Sequence, residues 1–397
     1  MESLRRFLTV WASPRLTVWL LGLLMFLIFA GTWAQIDMGI WSTLRLYFRS
    51  LFVWIPFQIF LPRTWDVPGA IPYPGGFLLG LLLFLNLVAA HATRFKFTKK
   101  RAGILLIHFS LMLLFIGEFV TGMFAEEANM SIDEGQTVSY AEDVRTVELA
   151  IIDVTDPDSD QVVIIPERAL ARRRAIEDPL LPFDLRVDHY YPNSQLVNVS
   201  EAPDGPRADR GMATSFGLTA VPRPVASGVG NSTIDLPVAF VTPVADGQEL
   251  GTWMVPLYLS LIDSPEVQSL EVGNRRYEMW MRYKRIYKPY QIHLIDFAHD
   301  RYMGTDTPKN YSSRIQLIDP ERGEDREVLI YMNNPLRYRG ETFYQASFKK
   351  GDMGTVLQVV RNPGWLVPYI ACTLGAIGLC IQFGASLSRF LGKRRPS

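Results

Sequence analysis

Residues 101–119 read RAGILLIHFSLMLLFIGEF. From 102 to 123 the chain stays apolar for the length, about 20 residues, that a helix needs to cross a bilayer. Two ionisable groups interrupt it, His108 and Glu118. At 1.5 Å per helical residue, His108 lies roughly 10 Å in from the basic edge at Arg101. In hydrocarbon such a side chain is expensive and points to function. Glu118 falls near the far end of the run and is expected to face water.

Three further apolar runs of spanning length occur at 16–34, 75–92 and 365–387, so the sequence predicts an integral membrane protein with four transmembrane α-helices. Basic residues decide its orientation. Arg5, Arg6 and Arg15 flank the first run, RFKFTKKR joins the second to the third, and SRFLGKRRPS follows the fourth. All fall on one side if the spans alternate, and positive charge stays in the cytoplasm. Both ends are then cytoplasmic and residues 124–364 lie outside. The first run is longer than a signal-peptide core and is expected to remain as an anchor. The expected division is a membrane unit over 1–123, an extracytoplasmic domain over 124–364, and a last span with a basic tail over 365–397. Between the first two spans, IWSTLRLYFRSLFVWIPFQIFLPRTW (40–65) carries Arg45, Arg49, Pro56 and Pro62. It is expected to lie as an amphipathic segment in the outer interface.

The outside region reads as all-β and sandwich-like. VELAIIDV, FDLRVDHYY, YQIHLIDF, SRIQLIDP and REVLIYM are rich in β-branched and aromatic residues, and turn-forming clusters separate them. PFDLRVDHYYPNS and PYQIHLIDFAHDRYMGT have a similar build, which suggests two related β-layers. Residues 200–232, rich in Pro, Gly, Ala and Asp, are expected to form a long loop. In NNPLRYRGETFYQASF (333–348) the aromatics alternate, as on a strand with one buried face. Tyr344 is expected to be a packing residue there.

The composition excludes several function classes. Basic and acidic residues number 40 each, so no basic surface argues for nucleic acid. Cys372 and Cys380 both lie in the last apolar run, where they form no disulfide framework, CxxC pair or zinc site. Asn86 and Gln382 suit hydrogen bonds between helices. No carboxylate pair, nucleophile elbow or phosphate loop is present, so no catalytic residue is assigned and the chain is not expected to act as an enzyme alone. His189, His293 and His299 match no metal-ligand spacing and read as ordinary strand or turn residues. His91, three residues before Arg94, sits where an imidazole reaches the headgroups and is a weaker ligand candidate. For His108 two roles stay open: a neutral imidazole hydrogen-bonded within a helix bundle, or a ligand to a metal or haem iron. The short loop puts His91 and His108 at similar depths, but a porphyrin needs more room than directly packed helices leave. A haem shared with another subunit is easier to build.

Several stretches, in order, resemble the ResB/CcsB proteins of system II cytochrome c maturation. They are GTWAQ (31–35), KKRAGILLIHFSLMLLFIGEFVTGMFAEEANMSIDEGQ (99–136), YMGTDTPKNYSSRIQLID (302–319), LIYMNNPLRYRGETFYQASF (329–348) and RNPGWLVPYIACTLGAIGL (361–379). The resemblance covers nearly the whole chain. It implies a bacterial inner-membrane protein with four spans, both ends inside and one large external domain. It further implies binding and transfer of haem b for covalent attachment to apocytochrome c, in a holocytochrome c synthase complex with a ResC/CcsA-type partner. That partner carries a tryptophan-rich haem-handling motif, and no W-W-D-like segment occurs in this chain. A thioredoxin-like thiol reductant is a further candidate partner. The family's transmembrane haem ligand corresponds to His108. Two other readings compete: a non-catalytic scaffold whose outside domain recruits a partner, and a b-type haem electron carrier.

Overall fold

The computed structural model describes residues 8–62, 64–65, 67–94, 98, 101–225, 234–262, 268–301, 303, 308–349 and 353–393. Several charges used above to orient the chain (Arg5, Arg6, Lys96, Lys99, Lys100, Arg394 and Arg395) lie outside the described residues. The chain forms two compact units. One holds the long helices: α1 (Pro14–Thr43), α2 (Gly76–Thr93), α3 (Ala102–Phe124) and α4 (Val367–Lys393). All four have the length and apolarity to cross a membrane.

α1 runs past the expected end at 34, and its helical path breaks at Gly39, where φ is 76°. The aromatic segment that follows is not one regular element. It makes a π-helical turn (Leu44–Phe48), then strand β1 (Phe52–Pro56), which pairs antiparallel with β2 (Ala70–Pro74). The reason is a change of period. Val53 and Ile55 are buried while Phe52 and Trp54 are exposed, so apolar residues alternate as in a strand and do not recur as on a helix.

α3 and α4 pack at backbone distance. A Cβ added at Gly103 would lie 2.9 Å from the Gly378 carbonyl and 2.8 Å from the Gln382 backbone nitrogen, and one at Gly378 would lie 2.9 Å from the Gly103 carbonyl. Each glycine therefore admits the other helix's main chain, as close helix pairs in membranes require. Asn86 ties α2 to the start of α1: its amide donates to the Trp11 carbonyl (2.5 Å) and its oxygen accepts from the Thr17 hydroxyl (2.6 Å).

The other unit is β-rich. Its strands are β3 (Glu126–Asp133), β4 (Thr137–Asp153), β5 (Gln161–Pro166), β6 (Ala175–Ile176), β7 (Asp184–Tyr191), β8 (Ser194–Asn198), β9 (Leu218–Pro222), β10 (Val238–Ala245), β11 (Gln248–Glu249), β12 (Trp253–Pro256), β13 (Gln268–Val272), β14 (Arg275–Arg301), β15 (Pro308–Asp319), β16 (Glu324–Tyr331), β17 (Leu336–Tyr338), β18 (Glu341–Phe348) and β19 (Gly354–Arg361). Among the described residues the main sheet runs β16-β15-β14-β4-β3-β19-β18-β17, with β5 added to β4 and β13 to β14. A turn with a bridge between Tyr331 and Asn334 leads from β16 to β17, the two ends of that order. A smaller sheet, β11-β10-β7-β6 with β12, packs on one end.

β14 serves two cores. Its first part, with Tyr277, Met279 and Met281, packs with Leu149, Ile151, Val163 and Ile165 against Leu185, Val187, Val241 and Val255 of the smaller sheet. This is the sandwich that the sequence implies. The later part buries Tyr290, Ile292 and Leu294 with Ile315, Leu317, Phe343 and Val359 inside the curled main sheet. The two cores meet where the β14–β4 register slips between Tyr283 and Arg285. Pro289 falls in a second slip, between Tyr287 and Ile292, where its missing N–H costs no ladder bond. β7 and the later part of β14, which carry the two similar stretches, thus fall in different sheets.

Two expectations need correction. Residues 200–232 are not one long loop, because Met212–Phe216 forms a helical turn and β9 pairs with β8; residues 226–232 lie outside the described ones. Tyr344 is 39% exposed, whereas its neighbour Phe343 is fully buried. The alternation is real, but the buried parity is that of Phe343.

Ionic contacts hold the β-rich unit at named points. Asp319 is buried and accepts from the Tyr338 hydroxyl (2.5 Å), Arg339 Nε (2.7 Å) and Arg339 Nη2 (2.9 Å). Glu341 accepts from Lys288 Nζ and the Tyr290 hydroxyl. Burial and then the Glu341 carboxylate push the Tyr290 phenol well above its ordinary range. Such pairing is what makes buried charge tolerable.

Candidate functional site

The site builds from a row of rings between α2 and α3. Phe77 meets Phe119 (ring centroids 5.8 Å apart), Phe84 meets Phe115 (6.3 Å) and His91 meets His108 (5.1 Å). On α2 the rings recur every seven residues, a spacing that keeps side chains on one seam of a helix. His108 and Phe115 have the same spacing on α3. The row shows the two helices to be antiparallel neighbours and carries both imidazoles in one line.

Helix geometry explains why the histidines meet although they stand at different distances from their helix ends. Side chains on a helix lean toward its N-terminus. His91, near the C-terminal end of α2, leans away from the basic loop, whereas His108 leans toward it. The two converge edge to face, with an interplanar angle of 80°. Both are half-buried. His91 Nδ1 donates to the Leu87 carbonyl at 2.8 Å, which fixes the ring's orientation.

The sequence-predicted residues therefore fall out as follows. His91 and His108 come together. His189 packs edge-on against Phe240 (6.1 Å), His293 Nδ1 hydrogen-bonds the Thr137 hydroxyl (3.0 Å), and His299 lies 4.3 Å from the Phe348 ring. Those three are placed by strands of the β-rich unit. Glu118 is exposed on α3, and Cys372 and Cys380 are free thiols exposed on α4. Among the described residues no cluster of three or more His, Cys, Asp or Glu could hold a bare metal ion. The sequence reading gave His91 only a weaker place, because it did not use the seven-residue recurrence Phe77, Phe84, His91, which aligns His91 with the same seam.

The geometry limits what two imidazoles here can bind. Given metal–nitrogen bonds of about 2 Å, two imidazoles ligating one iron from opposite sides stand roughly 6 Å apart, with the porphyrin between them. At 5.1 Å and edge to face, His91 and His108 leave no such gap. The pair leaves one imidazole at a time to offer a ring nitrogen, and does not let both clamp one group between them.

Residues 265–356 match the ResB-like family. Over 131 residues, a third of this chain (33%), the sequence is 30% identical to Protein NrfI of Wolinella succinogenes. The aligned part spans 14% of that protein's length. The matched segment takes in β13 to β18 of the main sheet. The likeness to the ResB-like family thus lies in the β-rich unit, in a chain that also has four helices long and apolar enough to cross a membrane.

Proposed function

We propose that this protein is the ResB-type subunit of a system II cytochrome c assembly complex, in which haem is the cargo. It binds haem b and passes it across the bacterial inner membrane for attachment to apocytochrome c, together with a ResC/CcsA-type membrane partner. Both termini lie in the cytoplasm and the β-rich unit lies on the extracytoplasmic side. Haem supplies an iron that takes an axial nitrogen and vinyl groups that form thioethers with two cysteine thiols. The chain's own work is binding and positioning: His108 offers its imidazole near the inner side of the membrane, and the apolar helices exclude water. Such a task rests on orientation more than on acid–base groups.

The observation that carries this reading is an imidazole held roughly 10 Å inside a span in a family-matched chain, where an ionisable group is costly unless used. The ring row favours a second reading, a scaffold in which both imidazoles only pack. The 5.1 Å spacing argues against a b-type carrier that clamps haem between these two helices. The test is His108→Ala in the purified complex. Under the proposal, haem content and cytochrome c maturation fall together, and added imidazole partly restores both. Under the scaffold reading, imidazole restores neither.

A further inference from the structure

β5 is a six-residue strand, QVVIIP, that pairs with β4 through six consecutive registers without a bulge. No other strand pairs with it among the described residues. Half of its N–H and C=O groups face β4. The other half face outward, and no hydrogen bond between described residues reaches them. Val163 and Ile165 are buried in the sandwich core, whereas Val162 and Ile164 are 37% and 40% exposed.

Soluble sheets normally blunt such an edge with a lysine, an internal proline, a bulge or a covering loop. β5 has no lysine, no bulge and no internal proline; Pro166, paired with Glu148, stands at the last position of the register. The other open edge on this part of the sheet, β13, carries the charged Glu271. β5 is therefore the uncharged, β-branched edge of the unit, and such an edge is suited to accept another strand.

Charge on either side says which strand. Before β5 stand the exposed Asp156, Asp158 and Asp160. After it come the exposed Arg168, Arg172 and Arg174. Arg173 donates to the Tyr190 carbonyl, and Glu167 accepts from the Tyr190 hydroxyl, so these two are already engaged. An incoming antiparallel strand must be acidic before its apolar core and basic after it. β5 meets that requirement itself. A two-fold axis across the edge sets the aspartates of one copy beside the arginines of the other, whereas a parallel pairing would set like charges together.

We propose that β5 is a self-association edge: two copies of this chain pair antiparallel through β5, extending the main sheet across a two-fold axis. The contact is isologous, as closed homodimers require. It places Val162 and Ile164 of both copies on one shared apolar face.

The experiment uses the full-length chain in a mild detergent or lipid nanodiscs, with mass measured by light scattering after chromatography. The wild-type protein is expected to carry the mass of two chains, and Ile164→Lys, which changes an exposed side chain, to halve it without changing the circular dichroism. Asp160→Arg should also halve the mass, and combining it with Arg168→Asp should restore the dimer. In a chain whose Cys372 and Cys380 are replaced by alanine, Val162→Cys should form an oxidant-dependent covalent dimer, which reports the edge even if a lysine variant folds poorly. A monomeric wild type overturns the proposal, as does a dimer unaffected by Ile164→Lys that gives no Val162→Cys cross-link. A Val162→Cys chain that cross-links to a different protein and never to itself also overturns it, because the edge then serves another partner.

Discussion

His91 and His108, on antiparallel helices, face each other edge to face at 5.1 Å. The contact is an aromatic packing interaction and a juxtaposition of two potential ligands at once. Phenylalanine separates these roles, since it keeps a ring of similar size and removes the nitrogens. His108→Phe should leave abundance close to wild type while haem in the purified complex falls several-fold. His91→Phe should lower it much less. Pyridine haemochrome absorbance normalised to protein reads both. Full haem in His108→Phe would remove this residue from the ligand set.

Orientation can be read without haem. Reporter fusions after Lys100 and at the C-terminus should give cytoplasmic signals, while fusions at Asp160 or Asp319 should give extracytoplasmic ones. Neutralising the basic residues of RFKFTKKR should mix the signals, because the charges hold the hairpin of α2 and α3 in place. A cytoplasmic signal from the Asp160 fusion would break the four-span order.

Much of this was legible in the chain because membrane spans and strands write long, simple patterns. Four apolar runs became four helices, and the β-branched runs at 147–154 and 290–297 became parts of β4 and β14. What stayed hidden depended on contacts distant in sequence. The parity of NNPLRYRGETFYQASF gives two faces but not which one meets the core, and Tyr344 turned out to lie on the exposed one. Residues 200–232 have the composition of a loop, yet β8 supplies a ladder for β9. The histidine pair was half legible: depth along each helix followed from the short loop, while direct contact depended on the opposed lean of the two side chains.

Phe343 and Tyr344 make the parity measurable. Phe343→Ala removes a fully buried ring and should cost about 3–5 kcal/mol, seen as a lower thermal midpoint and reduced abundance. Tyr344→Ala removes a ring that is 39% exposed and should change stability by only about 0.5 kcal/mol, as surface substitutions do. A larger loss from Tyr344→Ala than from Phe343→Ala would mean the strand is turned over.

Gly103 tests the close pair of α3 and α4. A leucine there would drive its Cβ into the Gly378 carbonyl and the Gln382 backbone, neither of which can rotate away. Overpacking of this kind costs about 1–3 kcal/mol. Gly103→Leu should therefore lower the detergent-solubilised protein's resistance to heat, while Gly80→Leu, on α2 where an added Cβ meets nothing within 4 Å, should not. Equal loss in both variants would show that glycine content, rather than helix approach, sets stability.

Asp319 should govern the acid limb of the β-rich unit. Burial pushes its carboxyl up, but the hydrogen bonds from Tyr338, Arg339 and the Arg322 backbone outweigh that and hold it below the ordinary carboxylate range. A group whose folded-state pKa is depressed binds its proton more readily when unfolded. Its stabilisation is thus complete above the unfolded pKa of about 3.9 and is lost as pH falls through the lower folded value. Melting of the full chain followed by β-sheet circular dichroism should show a midpoint that drops steeply below that pH in the wild type. Asp319→Asn should melt lower at neutral pH, because the amide cannot pair with the Arg339 guanidinium, and should be flatter across the acid window. Parallel acid limbs in the two proteins would assign the pH dependence to other carboxylates and leave Asp319 as a neutral-pH contact only.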